Sequence, residues 1–226
     1  MELQNNKAVV ICAGIGGWYP HGVRRLEKSL NFVGSPFDTL FYTEEIPGYP
    51  GHGDFPYYFK IAAFEEAKKK GYRKILWVDS SFWAVRSPMQ IFDHISELGF
   101  YMFRSGYNLA QSVNDRALNA VGLSRNDAVN AIEYASGCVG INLDNPDGLR
   151  LYNQWKTYMD MGLSKGSRSH GGQSKDPRFL HHRQDQSALS LAMWQLGLSN
   201  NKDLDFISYF GGGHNIERLI FFIGGL

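Results

Sequence analysis

One stretch of the chain, residues 74–81 with the sequence Lys-Ile-Leu-Trp-Val-Asp-Ser-Ser, most constrains how the rest can fold. Four apolar residues in a row, without polar alternation, are typical of a strand buried on both faces of a parallel sheet. The run ends at Asp79, which Ser80 and Ser81 follow. In open α/β sheets, ligands bind just outside the carboxyl ends of the strands. The stretch therefore predicts a central strand that ends either at a ligand-binding corner or at a well-capped turn.

Strand-like and helix-like segments alternate before this stretch. A buried strand at 8–13 leads to a helix that stops at Gly34, and a strand at 39–43 leads to a helix at 58–70 that stops at Gly71. This alternation predicts an α/β fold, Rossmann-like in type, with a mostly parallel central sheet and helices on both faces.

The second half continues the pattern with strands at 100–103 and 138–143. Residues 114–133 carry weakly amphipathic helix signals, and Asn145 before Pro146 is a strong helix start. No internal repeat or linker is visible, so residues 1–226 are expected to form one domain. The buried stripe of the helix after Asn145 is predicted to be Leu149, Tyr152, Trp155 and Met159.

Composition excludes several classes of function. The apolar share of 43% and charged share of 20% are those of a soluble globular protein, and a net charge of +1 gives no general attraction for nucleic acid or membranes. No apolar run is long enough for a membrane span. The short apolar tail at 219–223 could be a core element, a surface anchor or an interface, and the core is the expectation. Cys12 and Cys138 are expected as free buried thiols, and no signal peptide is visible, which together predict a cytoplasmic location.

The turn after the first strand contains Gly14, Gly16 and Gly17 and partly matches a dinucleotide-binding fingerprint. Tyr19 stands at the last glycine position, which argues against NAD or FAD. The segment 14–20 also lacks Lys and Arg, which argues against a nucleotidyltransferase.

A more specific similarity centres on Asp79. Lys60 lies in a predicted helix, the hydrophobic strand ending in Asp-Ser-Ser follows, and Ala-Val-Arg-Ser-Pro stands at 84–88. This order resembles the Asp-x-Asp region of nucleotide-sugar glycosyltransferases of the GT-A fold. Three later segments extend the resemblance to about residue 215. They are the small-residue strand at 135–142, the Asp-Gln helix start at 185–189, and His214 after three glycines.

The resemblance implies transfer of a sugar from a nucleotide-diphosphate sugar, a UDP- or GDP-sugar, to a hydroxyl of a glycan, protein or lipid. It places Asp185 and Gln186 beside the transferred sugar, with Asp185 as a general base or as a group that stabilises the reacting sugar. From the residues alone, Asp185 could equally cap its helix. The donor-binding residues that the resemblance implies are Lys60, Asp79, Ser80, Ser81, Gly137 and Cys138.

A metal ion is also implied. A leaving nucleoside diphosphate carries concentrated negative charge, which Mn²⁺ or Mg²⁺ on oxygen ligands neutralises. Asp79 and His214 are the expected ligands, but Ser81 replaces the family's second aspartate. Three alternatives follow: a metal held by Asp79 and His214 with waters, a metal-free enzyme that uses basic residues, or a non-catalytic binding or scaffold protein on a degenerate GT-A fold.

Two basic segments are secondary candidates. His181, His182 and Arg183 precede Asp185 and either meet phosphate or lie exposed. The polar stretch at 162–178 is either a lid over a bound diphosphate or a solvated loop. The cations of that stretch are Lys165, Arg168, Lys175 and Arg178.

Overall fold

The computed structural model describes residues 7–49, 51, 55–166, 173–199, 204–209 and 217–224. The strands are β1 Ala8–Ala13, β2 Asp38–Tyr42, β3 Lys74–Val78, β4 Phe82–Ala84, β5 Phe100–Asn108, β6 Ile132–Asn142, β7 Ile207–Tyr209 and β8 Phe221–Ile223. The helices are α1 Tyr19–Phe32, α2 Phe59–Lys69, α3 Met89–Leu98, α4 Leu109–Ser112, α5 Asp115–Ala120, α6 Arg125–Ala128, α7 Pro146–Asp160 and α8 Asp185–Gln195.

The main sheet has five strands in the order β2-β1-β3-β6-β5, and a smaller sheet has the order β4-β8-β7. In the main sheet, β1 runs parallel to β2 and β3, while β6 runs antiparallel to both β3 and β5. Four of its strands therefore point the same way, and the prediction of a mostly parallel sheet is confirmed.

The central strand β3 is buried on both faces, as its apolar run predicts. Ile75 and Trp77 pack into the core that contains α2, α7 and α8, whereas Leu76 and Val78 pack into the core that contains α1 and α3. All four side chains have no exposed surface. Because alternate strand residues point to opposite faces, only a strand with helices on both sides can bury such a run.

Some element boundaries differ from the prediction. Within 114–133, only the short helices α5 and α6 form, capped by the side chains of Asn114 and Ser124. Residues 132–133 belong to β6 instead, because Ile132 pairs with β5. Leu149 is 39% exposed, so its assignment to the buried stripe of α7 was wrong. The buried residues of that helix are Gly148, Leu151, Tyr152, Trp155, Tyr158 and Met159.

The apolar tail joins the core, as expected: Ile220 and Phe221 are buried, and β8 pairs antiparallel with β4. Cys12 and Cys138 are both buried and free. Within the described ranges, every helix falls short of the length and apolar character that crossing a bilayer requires.

Candidate active site

Asp79 stands where β3 leaves the main sheet and the chain turns toward β4. Its backbone N–H donates to the carbonyl of Gly137 on β6 at 2.8 Å, and its own carbonyl accepts from Phe82 N at 3.0 Å. A Cβ on Gly137 would lie 3.0 Å from the Phe82 ring and 3.3 Å from Asp79 Oδ2. The absence of a side chain on Gly137 therefore leaves the room that the Asp79 carboxylate occupies.

Helix α1 holds the backbone after Asp79 from the other side. Arg25 Nη2 donates to the carbonyl of Ser81 at 2.9 Å. Gly22, inside α1, has no room for a side chain, since a Cβ there would lie 2.3 Å from the carbonyl oxygen of Ser80. The corner at 79–81 is therefore fixed by a sheet contact and a helix contact.

Lys60 joins this corner to helix α8. Its side chain is 2% exposed, and its Nζ lies 2.8 Å from Asp185 Oδ2 and 3.2 Å from Asp79 Oδ1. The same nitrogen donates to the carbonyl oxygen of Ser136 at 2.8 Å. Burial alone would lower the pKa of Lys60, but Asp185 and Asp79 outweigh it and raise this pKa above its ordinary value. Lys60 is therefore a buried ammonium ion shared by two carboxylates.

The indole of Trp77 adds a second donor at Asp79. Trp77 Nε1 donates to Asp79 Oδ1 at 2.6 Å, and Lys60 Nζ lies 5.4 Å from the centre of the Trp77 ring. Two donors therefore fix one oxygen of Asp79, while the side chain as a whole is 36% exposed.

Asp185 is the first residue of α8 but does not cap it. The N-cap position is Gln184, without a capping side-chain hydrogen bond, so the capping alternative for Asp185 is wrong. Gln184 has a positive φ of 56°, a strained conformation for a residue with a side chain. Its amide donates to the carbonyl of Gly166 at 3.2 Å. This turn directs the Asp185 carboxylate toward Lys60.

Gln186 is 5% exposed and lies beside β6. Its Oε1 accepts from Ser136 N at 3.3 Å. Its Nε2 is buried and has no hydrogen-bond partner within the described part of the chain. A buried amide nitrogen without a partner costs free energy, so this position suits a ligand oxygen.

Two adjoining cavities meet at Asp79. The smaller has a volume of about 170 Å³ and the larger about 490 Å³, and both are lined by Tyr57, Asp79 and Ser81. The charged or amide side chains around the smaller cavity are Lys60, Asp79, Arg183, Gln184, Asp185 and Gln186. The larger cavity has an aromatic wall of Tyr19, Tyr49, Tyr57 and Phe59, beside the Gly14 turn.

The predicted site residues fall into three groups. Lys60, Ser81, Gly137, Asp185 and Gln186 join Asp79 around the smaller cavity, and Ser80 lines the larger one. Cys138 lines neither cavity; it is fully buried in the core beside α1 and α3, so we leave it out of the site. His214 lies outside the described residues, as does Arg168.

The aromatic wall was not predicted from the sequence, whereas Arg183, a secondary candidate there, lines the smaller cavity. Tyr49 and Tyr57 lie in the connection between β2 and α2. Tyr57 has a positive φ of 62°, a backbone conformation that a sequence does not reveal.

His182 does not face a phosphate site. It has no exposed surface, its Nδ1 accepts from Asn114 N at 3.3 Å, and its Nε2 lies 3.1 Å from the carbonyl of Leu163. These contacts require a neutral ring protonated at Nε2. Burial lowers the pKa of His182 to about 4. His182 therefore anchors the loop around Leu163.

Two of the proposed lid cations, Arg178 and Lys165, contact other parts of the chain. Arg178 donates to both carboxylate oxygens of Asp176, at 2.7 and 2.9 Å, and to Asn126 at 3.0 Å. Lys165 Nζ lies 4.6 Å from the centre of the Phe55 ring. Neither residue lines either cavity, and the lid stays a prediction.

A divalent ion requires several oxygen ligands around one point. Across the described ranges, no group of three or more His, Cys, Asp or Glu side chains is arranged to hold a metal ion. The two acids of the site share the Lys60 ammonium ion, so the position between them does not fit a second cation. A metal held by Asp79 and His214 stays a prediction, because His214 lies outside the described residues.

No protein-family model and no curated protein sequence matches the chain. Solved structures do match it. The apo structure of WbbM, a bifunctional glycosyltransferase, aligns over 98% of this chain and 46% of its own, at 10% identity and a TM-score of 0.57. The apo form of mouse xyloside xylosyltransferase 1 aligns over 96% of this chain and 97% of its own, at 10% identity and a TM-score of 0.55. The chain has the α/β fold of GT-A glycosyltransferases and spans less than half the length of WbbM.

Proposed function

We propose that this chain transfers a sugar from a nucleoside-diphosphate sugar to the hydroxyl of an acceptor. In the reaction, the bond between the anomeric carbon and the β-phosphate oxygen breaks. The acceptor oxygen bonds to that carbon, its proton is released, and the nucleoside diphosphate leaves. The likeness in fold to two glycosyltransferases supports this class of reaction, since both are named for it.

The observation that carries the proposal is the pair of cavities that meet at Asp79. A nucleotide sugar has an apolar, flat base at one end and a polar sugar at the other. The larger cavity offers aromatic rings for stacking against the base, whereas the smaller one offers charged and amide groups for sugar hydroxyls. Asp79 lies at the junction, where the ribose and diphosphate of such a donor would lie.

The buried charges suggest a role for each residue. Asp185 and Asp79 share one ammonium ion, so the three groups together carry one net negative charge. Glycosyl transfer places positive charge on the sugar ring in the transition state, which negative charge stabilises. Asp185 Oδ2 faces Lys60 at 2.8 Å, which favours electrostatic stabilisation over proton abstraction for this residue.

The test is binding and turnover of UDP- and GDP-sugars. Calorimetric titration with each donor, in EDTA and in MnCl₂, measures affinity. Release of nucleoside diphosphate through slow donor hydrolysis measures turnover without a known acceptor. Asp185→Asn is expected to abolish turnover, and Asp79→Asn to weaken binding because an amide is a poorer acceptor than a carboxylate for a ribose hydroxyl. Asp93→Asn, at an exposed position on α3, serves as the control. Failure of every donor to bind under both conditions would disprove the proposal.

The non-catalytic alternative makes a different prediction in the same experiment. The serine at position 81 motivates it, since a hydroxyl replaces the family's second carboxylate. Binding of a donor without release of its nucleoside diphosphate, in the presence of a broad acceptor panel, would favour a binding or scaffold protein.

A further inference from the structure

Arg183 is the only charged side chain of the smaller cavity that the described structure leaves without an ionic partner. The charged residues that line this cavity are Lys60, Arg183, Asp79 and Asp185. Lys60 pairs with both carboxylates. Arg183 takes part in no salt bridge in the described part of the chain, and its only hydrogen bonds there run through its backbone. Its guanidinium is therefore available to a ligand.

The backbone around Arg183 is held firmly. Its N–H is shared between the carbonyl of Ser112 at 3.2 Å and Ser187 Oγ at 3.0 Å. Its carbonyl accepts from Gln186 N at 3.1 Å. The strained residue Gln184 follows directly. A half-buried arginine on so constrained a turn is placed for binding at little further cost in backbone entropy.

We propose that Arg183 binds the β-phosphate of the donor; this rests on the proposed function. A guanidinium ion suits phosphate oxygens because it offers paired N–H donors in one plane. Arg183 lines the smaller cavity and not the larger one. In a donor that spans both, the β-phosphate is the phosphate bonded to the sugar, so it lies nearest the smaller cavity. Gln186 Nε2, which is buried and has no hydrogen-bond partner among the residues that the structure describes, is a second donor at the same cavity.

The cation also completes the charge balance of the site. Lys60 already neutralises one of the two acids, and without Arg183 the cavity would carry a net negative charge that repels a diphosphate. Arg183 brings the charge of the described lining to zero. When the nucleoside diphosphate leaves, the electron pair of the breaking C–O bond moves onto the β-phosphate oxygen. The guanidinium of Arg183, held in place beside this oxygen, would stabilise the negative charge that develops there.

The experiment compares three ligands that differ only in their phosphates: UDP, UMP and uridine, or GDP, GMP and guanosine if the guanine series binds. Affinities are measured by calorimetry in EDTA and in MnCl₂ for wild type, Arg183→Gln and Arg183→Lys. Arg150→Gln is the matched control, because Arg150 is an exposed arginine of α7 and lines neither cavity.

Loss of a charge-assisted hydrogen bond is expected to weaken diphosphate binding by at least about tenfold in Arg183→Gln. Affinity of this variant for the monophosphate and the nucleoside should be unchanged. The diphosphate affinity of Arg183→Lys should lie between those of wild type and Arg183→Gln. A structural role would instead weaken all three ligands together. An equal loss for all three, or no loss for the diphosphate, would overturn the proposal. If wild type binds neither series, the proposed function itself fails, and this inference falls with it.

Discussion

Lys60 Nζ lies 2.8 Å from Asp185 Oδ2, so a residue of α2 and the first residue of α8 are joined by a buried ion pair. The same nitrogen lies 3.2 Å from Asp79 Oδ1 at the end of β3. One side chain thus fixes the distance between the two acids of the candidate site. Any ligand that binds between the cavities meets this group as a unit.

Replacing Lys60 by methionine should destabilise the protein by about 3 kcal/mol, because it leaves two carboxylates close together without their counter-charge. Urea unfolding at neutral pH measures the change. Lys69→Met is the matched control, since Lys69 lies on the same helix in an exposed pair with Glu66. Equal losses of stability in the two variants would contradict the importance assigned to the buried pair.

Gly22→Ala tests the contact between α1 and the corner after Asp79. Helix propensity alone predicts stabilisation by about 1 kcal/mol. A Cβ only 2.3 Å from the carbonyl oxygen of Ser80 predicts the opposite, a net loss of about 1–2 kcal/mol, with weaker nucleotide binding. Unfolding and calorimetry on Gly22→Ala and on Lys28→Ala, at an exposed position of the same helix, separate the two expectations. A stabilised Gly22→Ala variant would contradict the tight contact.

His182 should make stability depend on pH. Its pKa is about 4 in the folded protein, against 6.5 for an ordinary histidine, because burial disfavours the charged ring. Arg116 also disfavours that charge, while Asp185 favours it. Between these values the unfolded chain binds the proton and the folded protein does not. This contribution is therefore complete above pH 6.5 and is lost as the pH falls toward 4, up to about 3 kcal/mol.

Unfolding free energies of wild type and His182→Gln across this range check the expectation. The variant should be less stable at pH 7.5 but should lose less stability on acidification. His21→Gln, at an exposed position on α1, should follow wild type. A slope in His182→Gln as steep as in wild type would show that other groups cause the acid sensitivity.

Ser81→Asp tests how the site depends on a metal ion. Ser81 lines both cavities, so a carboxylate there would face the diphosphate. UDP or GDP affinity in EDTA should fall by about tenfold or more through like-charge repulsion, and MnCl₂ should restore it. Ser81→Asn, which has nearly the same shape and no charge, should show neither effect. A loss in Ser81→Asp that MnCl₂ does not reverse would mean that the corner cannot form a metal site.

The central strand and the acid at its end could be predicted from the sequence, because few positions in a folded chain bury four consecutive apolar side chains. Only a strand with helices on both faces buries Ile75 to Val78 completely, and such a strand delivers its next residue to the edge of the sheet. The antiparallel direction of β6 could not be predicted in the same way. Most of its residues are apolar or small, which predicts that the strand is buried but not the direction in which it runs.

The ion pair between Lys60 and Asp185 could not be predicted from the sequence either. A lysine in a helix is usually solvated, and an acid at a helix start usually caps it. Both rules fail here because tertiary packing brings α2, β3 and α8 together. Lys60 and Asp185 are then buried next to each other and form an ion pair. The signal was present only in the resemblance, which placed both residues near one donor.

The pairing of β4 with β8 has a consequence for biosynthesis. Phe82 follows Asp79 closely, but its partner Ile223 stands near the far end of the sequence and also lines the smaller cavity. Contacts between such distant segments cost loop-closure entropy and form late. The five strands of the main sheet all lie before residue 143, and the helices α7 and α8 that cover one of its faces end at Gln195. A nascent chain on the ribosome should therefore fold its main sheet before the cavity beside Asp79 is closed, and it should acquire ligand affinity only when β8 emerges.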